Sequence, residues 1–485
     1  MSEGEWIEMR PEKDSTHDSS DTDESTDTYD TIEWLLKNVP HNNGKVGLYG
    51  GSYSGFYTST GLINAHPALV AASPQAPIAN FSFYTTFTKQ DNPELDQDPG
   101  AFYGTRDGYQ FYLRMGSLIN SEKFFAYKNP YWTDVIKHTN YDEFWKSRDI
   151  LPHLKNIHPA VLVVGGWFDA EDLLGTLKTY RVIEAQSPGT VNKLVMGPRG
   201  AGGWIRSTGE RLGAISFDAK TSEFFVNEME LPFFRHYLKG SPDPNLPAAY
   251  VFETGKNNWQ RKQQWPPANL CSERLYLHAD NQLTHDKPRD LSGLDEYVSD
   301  PNKPVPSFNR ATLEMDPDYM DADQRFVEKR SDALSYETDP LSSDTTIAGP
   351  ISPLLFVFST ATDSDFVVKL IDVYPSNRKE ARGYEQLVRG EPFRGKFRNG
   401  FGRPEPFRRD ETEQIRFSMP DVYHCFRKGH RMMVEIQSSW FRLVDRNPQT
   451  FTHIPFAKSE QFVKATERIY RSNAAASFVE INVEQ

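Results

Sequence analysis

Along the first part of the chain, apolar positions recur at helical and strand spacings in turn. Between residues 27 and 38, Tyr29, Ile32, Leu35 and Leu36 share one helical face, and Pro40 stops it. A short strand over 45–49 comes next, then a Gly-rich turn and a small-residue segment over 56–65 suited to a closely packed helix. Residues 69–73 read as a second buried strand, so strand, helix and strand alternate as in a parallel sheet. The stretch 83–155 breaks this rhythm. It is aromatic and charged, with helical patches over 110–118 and 141–148, and is expected as an inserted helical cap. Alternation returns with a strand over 160–164, a helix over 171–185, a strand over 193–196 and a long amphipathic helix over 218–238. After Gly240-Ser241-Pro242, the runs 354–358, 366–373, 414–417 and 431–436 are strand-like and separated by Pro, Gly and Asp turns. Residues 246–485 therefore predict an all-β sandwich or jelly roll. The expected organisation is α/β over 1–82, cap over 83–155, α/β again over 156–245, and all-β to the end.

Composition excludes several functions. The formal net charge is −13, and residues 1–30 alone hold eleven acids against two bases. An acidic front on a nearly balanced body argues against nucleic acid and against anionic membrane surfaces as partners. No stretch approaches the ~20 apolar residues of a membrane span. Cys271 and Cys425 are the two cysteines, too few for a disulfide framework or a zinc site, and no cofactor is expected. Residues 14–30, rich in Ser, Thr and Asp, lack the Gly and terminal Glu of a calcium loop. The acidic opening does not read as a signal peptide, which needs a basic start and an apolar run, and export stays undecided. Oligomeric state stays open, a homo-oligomer included.

The chemistry concentrates in Lys45-Val46-Gly47-Leu48-Tyr49-Gly50-Gly51-Ser52-Tyr53-Ser54-Gly55. A serine on a sharp turn between a strand and a helix is what a nucleophile elbow needs, because the turn exposes Oγ and the next backbone N–H faces a developing oxyanion. A Gly/Ser turn without chemistry accounts for these residues as well. The match to Gly-x-Ser-x-Gly is imperfect, since Ser54 stands where the second glycine belongs.

Gly50-Gly51-Ser52-Tyr53-Ser54-Gly55 does fit the variant Gly-x-Ser-Tyr-x-Gly, and so resembles the cocaine-esterase, α-amino-acid-ester-hydrolase and X-Pro dipeptidyl-peptidase family. His66-Pro67-Ala68-Leu69, Ser73-Pro74-Gln75-Ala76-Pro77, Gly165-Gly166-Trp167-Phe168-Asp169 and Gly197-Pro198 resemble its amino-ester-hydrolase branch. So do Asp363-Ser364-Asp365-Phe366-Val367 and Asp445-Arg446-Asn447-Pro448-Gln449-Thr450. The resemblance implies an α/β-hydrolase fold with a helical cap, followed by a jelly roll. It implies hydrolysis of small acyl esters, amides or dipeptides through a Ser-Asp-His triad. Ser52 would be the nucleophile, the Tyr53 N–H an oxyanion donor, and Asp169 the acid orienting the histidine. Glu171 and Asp172 would hold a substrate α-ammonium. Each has a plainer reading: Asp169 as a helix cap, Glu171 and Asp172 as ordinary acids of a helix's first turn. Exported members of the family exist, so localisation is left open.

Three departures are visible. The family's base lies in a Gly-Pro-x-x-His loop, and here Ala201 holds the histidine's place. Arg199 cannot substitute, since its guanidinium stays protonated, and His236 lies in a Phe-rich helix where packing is the expected role. Without a base, Ser52 is a weak nucleophile. A further family aspartate at the start of the cap falls near Thr85-Thr86. Only 51 residues precede Ser52, fewer than the strands of an α/β-hydrolase before its elbow need, which gives the expectation of an N-terminally shortened sequence lacking the second oxyanion donor. Two other readings compete with a serine hydrolase: an inactive remnant or binding protein keeping the cap and jelly roll, in which Ala201→His restores nothing, and a carbohydrate-binding module stacking sugars on Trp440 and Phe441.

Overall fold

The computed structural model describes residues 11, 23–80, 107–124, 130–311, 320–376, 383–409 and 411–485. Thr85, Thr86 and the first ten residues lie outside them. The chain divides into two units, residues 1–81 with 143–268, and residues 82–142 with 269–485.

The first unit opens with α1 (Glu24–Asn38), which begins three residues before the expected start because Asp23 caps it. The Asp23 carboxylate accepts the Thr26 N–H at 2.7 Å, and Glu24 and Asp27 lie in the first turn, where acids favour the helix dipole. Then follow β1 (Val46–Gly51), α2 (Tyr53–Thr60), β2 (Leu69–Gln75), β3 (Ala160–Gly166), α3 (Leu173–Gln186) and β4 (Asn192–Gly197). All seven residues of β3 are buried, as its continuous apolar run requires of a strand covered on both faces.

The sheet continues beyond the expected boundary at 245. β5 (Ala249–Glu253) pairs parallel with β4, and β6 (Asn258–Lys262) pairs antiparallel with β5, giving one mixed sheet ordered β1 to β6. Ala249, Val251 and Phe252 are fully buried in it. Between β4 and β5 come α4 (Gly203–Arg206), α5 (Thr221–Phe225) and α6 (Leu231–Lys239). The long helix expected over 218–238 is interrupted by a π turn, Val226–Glu230. Pro232 in the first turn of α6 has no N–H to give and its ring crowds the carbonyl four residues back, which a wider turn relieves. Trp204, Phe225, Met229 and Phe233 pack on Leu162, Val164 and Val195, each large apolar side chain contributing about 1.5–3 kcal/mol of burial.

In the second unit the pairings between strands are antiparallel among the described residues. β7 (Leu270–Leu277), β8 (Leu294–Ser299), β10 (Thr345–Ser359), β13 (Glu413–Arg416), β14 (Met419–Phe426), β16 (Ala465–Tyr470) and β17 (Phe478–Glu484) belong to an eight-stranded sheet around the long β10. β9 (Ala333–Glu337), β15 (Arg431–Gln437), β11 (Asp365–Val373) and β12 (Glu385–Arg394) form a second sheet in that order. One core joins them, with Ile347 and Leu355 from the first and Phe366, Val368 and Val434 from the second. Trp440 and Phe441 lie inside this unit, 1% and 5% exposed, so they offer no stacking surface. Of the stretch expected as a cap, the helices Gly108–Met115 and Pro130–Lys137 fall in the second unit and Glu143–Lys146 in the first.

Candidate active site

Four neighbouring parallel strands deliver their following loops to one edge of the sheet. The register pairs Gly51 with Gln75, Gln75 with Val164, Val164 with Val195, and Gly166 with Gly197. Ser52 follows β1, Asp169 follows β3 and Ala201 follows β4. All three lie beyond the carboxyl ends of their strands, the side where open α/β sheets bind ligands. β1 and β3 are two strand spacings apart, about 10 Å.

Ser52 is exposed and its backbone is strained, with φ 57° and ψ −118°. Its N–H donates to the Gln75 carbonyl at 2.9 Å, and its own carbonyl accepts the Phe56 N–H at 3.0 Å, so the peptide is held on both sides. The flanking glycines are needed for close approach. A Cβ on Gly50 would stand 2.5 Å from the Ser54 carbonyl oxygen, and one on Gly55 would stand 2.6 Å from that of Gln75. Tyr53 is the first residue of α2, so its N–H belongs to the positive end of the helix.

Asp169 is buried, and its Oδ1 accepts the N–H groups of Glu171 at 2.8 Å and Asp172 at 3.0 Å. Asp169 thus closes the turn that leads into α3, whose N-cap position is Asp172. Asp172 is buried and Glu171 half-buried. The loops after β3 and β4 are tied together: the Trp167 N–H donates to the Gly197 carbonyl at 2.9 Å and the Phe168 N–H to the Arg199 carbonyl at 3.0 Å.

Arg199 points inward, 3% exposed, donating from Nη2 to the Thr221 carbonyl at 2.5 Å with its guanidinium 5.2 Å from the centre of the Phe225 ring. Burial pushes its pKa down to about 9 against the pull of Glu230, so it stays a cation at neutral pH. Ala201 is exposed, followed by Gly202 in the left-handed region at φ 65°. His236 is engaged at the end of α6, its Nδ1 2.8 Å from the Ser241 carbonyl and its ring against Tyr237.

Sequence reasoning missed a buried polar chain beneath this edge. Gln75 accepts the Trp204 indole N–H at 2.7 Å and donates to Glu230 at 2.5 Å. Burial pushes the Glu230 carboxyl above its usual range. The signal was present: Glu230 sits three residues before Phe233 and four after Val226, an acid inside an apolar stripe. Among the described residues, no group of three or more His, Cys, Asp or Glu is placed to hold a metal, and no helix is long and apolar enough to cross a membrane.

Comparison with known proteins supplies the family. Residues 1–200 match the family of the X-Pro dipeptidyl-peptidase (S15 family), and residues 244–480 match the X-Pro dipeptidyl-peptidase C-terminal non-catalytic domain. The chain is similar to an aminopeptidase from the marine sediment archaeon Thaumarchaeota archaeon, with 35% identity and a TM-score of 0.93 over 100% of this chain and 83% of that one. An α-amino acid ester hydrolase of known structure shows 34% identity and a TM-score of 0.92, over 99% of this chain and 83% of its own. The cocaine esterase of Rhodococcus sp. (strain MB1 Bresler) is 26% identical over 93% of this chain and 82% of its own length. These relatives suggest a serine hydrolase of esters or X-Pro peptides, and the chain belongs to the CocE/NonD family of hydrolases.

Proposed function

We propose that this chain is a serine hydrolase of small acyl esters or amides in which Ser52 accepts the acyl group and general-base assistance is missing. The observation that carries this reading is the strained backbone of Ser52 at the switch from β1 to α2. Strain of this kind at an exposed serine is kept where exposing Oγ is useful. In this reading the mixed sheet is part of an α/β-hydrolase domain and the antiparallel unit is a jelly roll.

The reaction would run as acyl transfer. Ser52 Oγ attacks the carbonyl carbon, its proton passes to solvent, and the carbonyl oxygen becomes an oxyanion held by the Tyr53 N–H. Collapse expels the alcohol or amine and leaves an acyl-serine, which water then hydrolyses. Asp169 would orient an imidazole, but Ala201 offers a methyl group where the family's histidine stands. Removing that histidine from a serine protease costs on the order of 10⁶ in kcat and leaves about 10³–10⁴ over water. Glu171 and Asp172, in the turn between β3 and α3, are suited to a substrate bearing an α-ammonium, such as an amino acid ester, a β-lactam or a dipeptide. The competing reading, a binding protein that keeps its pocket and has lost the chemistry, rests on the same Ala201.

A fluorophosphonate probe tests the nucleophile. Slow labelling that disappears in Ser52→Ala is expected. Absence of label, or equal label in the variant, overturns the assignment.

A further inference from the structure

The two motifs of the second unit that the reaction leaves unused, 363–367 and 445–450, fold into one buried ionic knot. Asp363, Asp365 and Glu467 are at most 2% exposed, and Arg394 and Lys396 at most 4%. Arg394 Nη2 lies 3.3 Å from Asp365 and 2.6 Å from Asp445, and Asn447 donates to Asp365 at 2.8 Å. Ser359 donates to Glu467 Oε1 at 3.0 Å. With its nitrogen turned inward, the Gln449 amide adds bonds to Ser364 at 3.1 Å and Glu467 at 3.2 Å.

The charges do not balance. Four carboxyls, Asp363, Asp365, Asp445 and Glu467, share two cations, Arg394 and Lys396. Two carboxyl oxygens, Asp363 Oδ2 and Glu467 Oε2, are buried with no hydrogen-bond partner among the described residues. A buried carboxylate oxygen left bare is costly, whereas a proton on it removes the charge. We propose that the knot is a proton-loaded switch: Asp363 and Glu467 are held as neutral acids in the folded unit and lose their protons as pH rises, loosening the turn that carries residues 445–452.

The groups facing these acids agree with that assignment. Burial pushes Asp363 up to about 7, helped by Asp365 and opposed by Lys396, Arg394 and the Asn447 amide. Glu467 is pushed up to about 8, chiefly by burial, with Asp363 and Asp365 adding to it and Ser364 and Ser359 opposing. Tyr297 faces Glu467 as a further group whose neutral form burial favours.

The turn is tied to the knot at several points. The Thr362 N–H reaches the Gln449 carbonyl at 3.3 Å, the Phe451 N–H reaches Thr362 Oγ1 at 2.9 Å, and Lys396 Nζ reaches the Thr452 carbonyl at 3.4 Å. Arg446, in the same turn, donates to the Leu113 carbonyl in the helix Gly108–Met115 at 3.2 Å. Loosening the turn therefore reaches that helix too.

Because the folded pKa values are raised, the stabilisation is complete below the unfolded carboxyl range, about pH 4, and is lost as pH rises towards 7 and 8. Each proton changes the opening equilibrium by about tenfold per pH unit in that window. Hydrogen–deuterium exchange on the full chain, corrected for intrinsic exchange rates, reads this at peptides from the turn, from β16 and from the helix Gly108–Met115. Wild-type protection should fall between about pH 5 and pH 8, while Glu467→Gln and Asp363→Asn, fixed in the neutral form, should hold protection at the upper end. Equal falls in wild type and both variants overturn the proposal. Infrared spectroscopy of the wild type at about pH 6 gives a second reading. A protonated-carboxyl band that Glu467→Gln weakens, and that Asp363→Asn added to it weakens further, is expected; a band absent from the wild type or unchanged in both variants overturns the proposal.

Discussion

The Ser52 amide donates to the Gln75 carbonyl at 2.9 Å, so the strained residue at the end of β1 is locked to the last residue of β2. Gln75 is fixed in turn, its side chain bonded to Trp204 and Glu230. The sheet holds Ser52 in a sparsely populated conformation that a residue with a Cβ adopts at a cost of about 1–3 kcal/mol. Ser52→Gly keeps the backbone bond and removes that cost. The midpoint of urea unfolding should therefore rise, by the equivalent of about 1 kcal/mol. A fall in the midpoint would show that the serine side chain holds the turn.

Gly175 gives a test in which two effects oppose. Gly175 is the third residue of α3, and alanine is intrinsically better than glycine in a helix by up to about 1 kcal/mol. A Cβ at 175, however, would lie 2.0 Å from the Pro77 carbonyl oxygen, which is backbone and cannot swing aside. Overpacking of this kind costs about 1–3 kcal/mol, so Gly175→Ala should lower the unfolding midpoint. A higher midpoint would mean that helix propensity outweighs the contact.

Lys369 is wholly buried in the second unit, 2.6 Å from Glu435 and 3.0 Å from Gln324. Lys369→Met strands the Glu435 carboxylate and should cost about 3–5 kcal/mol in urea unfolding. Adding Glu435→Gln should recover much of that loss, because the double variant buries no bare charge. Additive losses in the double variant would contradict the pairing.

Lys178 on α3 sets a pH dependence of opposite sign to that of the buried acids. Burial pushes it down to about 8, while Asp149 pulls the other way. An unfolded lysine titrates near ~10.4, so between about pH 8 and 10 the unfolded chain binds the extra proton and stability rises with pH. Lys178→Met should be more stable than wild type below about pH 8 and should lose that rise. Thermal melts across this range check it, and parallel curves would refute it.

Much of the first unit was legible because each element carries a local signature. The strand expected at 160–164 is β3 at Ala160–Gly166, and the helix expected at 171–185 is α3 at Leu173–Gln186. Non-local pairing was not legible. The run Ala249–Glu253 reads as a strand anywhere, and only its parallel pairing with β4 assigns it to the first sheet. Asp169 and Arg199 were visible as residue types, but the carbonyl bond that ties the Arg199 loop to Phe168 has no trace in side-chain pattern. The motifs 363–367 and 445–450 were visible as separate strings. Their meeting around Arg394 depends on strand register within the second unit.

The most direct test of the account is the hydrolysis rate of a p-nitrophenyl ester by Ala201→His. Ala201 is exposed, so the larger side chain meets no buried wall there. If Ser52 is a nucleophile lacking its base, the variant should gain about 10²–10⁴-fold, the usual contribution of general-base catalysis, and Ser52→Ala should abolish the gain. A rate that stays at the wild-type level in a folded Ala201→His protein would contradict the hydrolase reading and favour a binding protein.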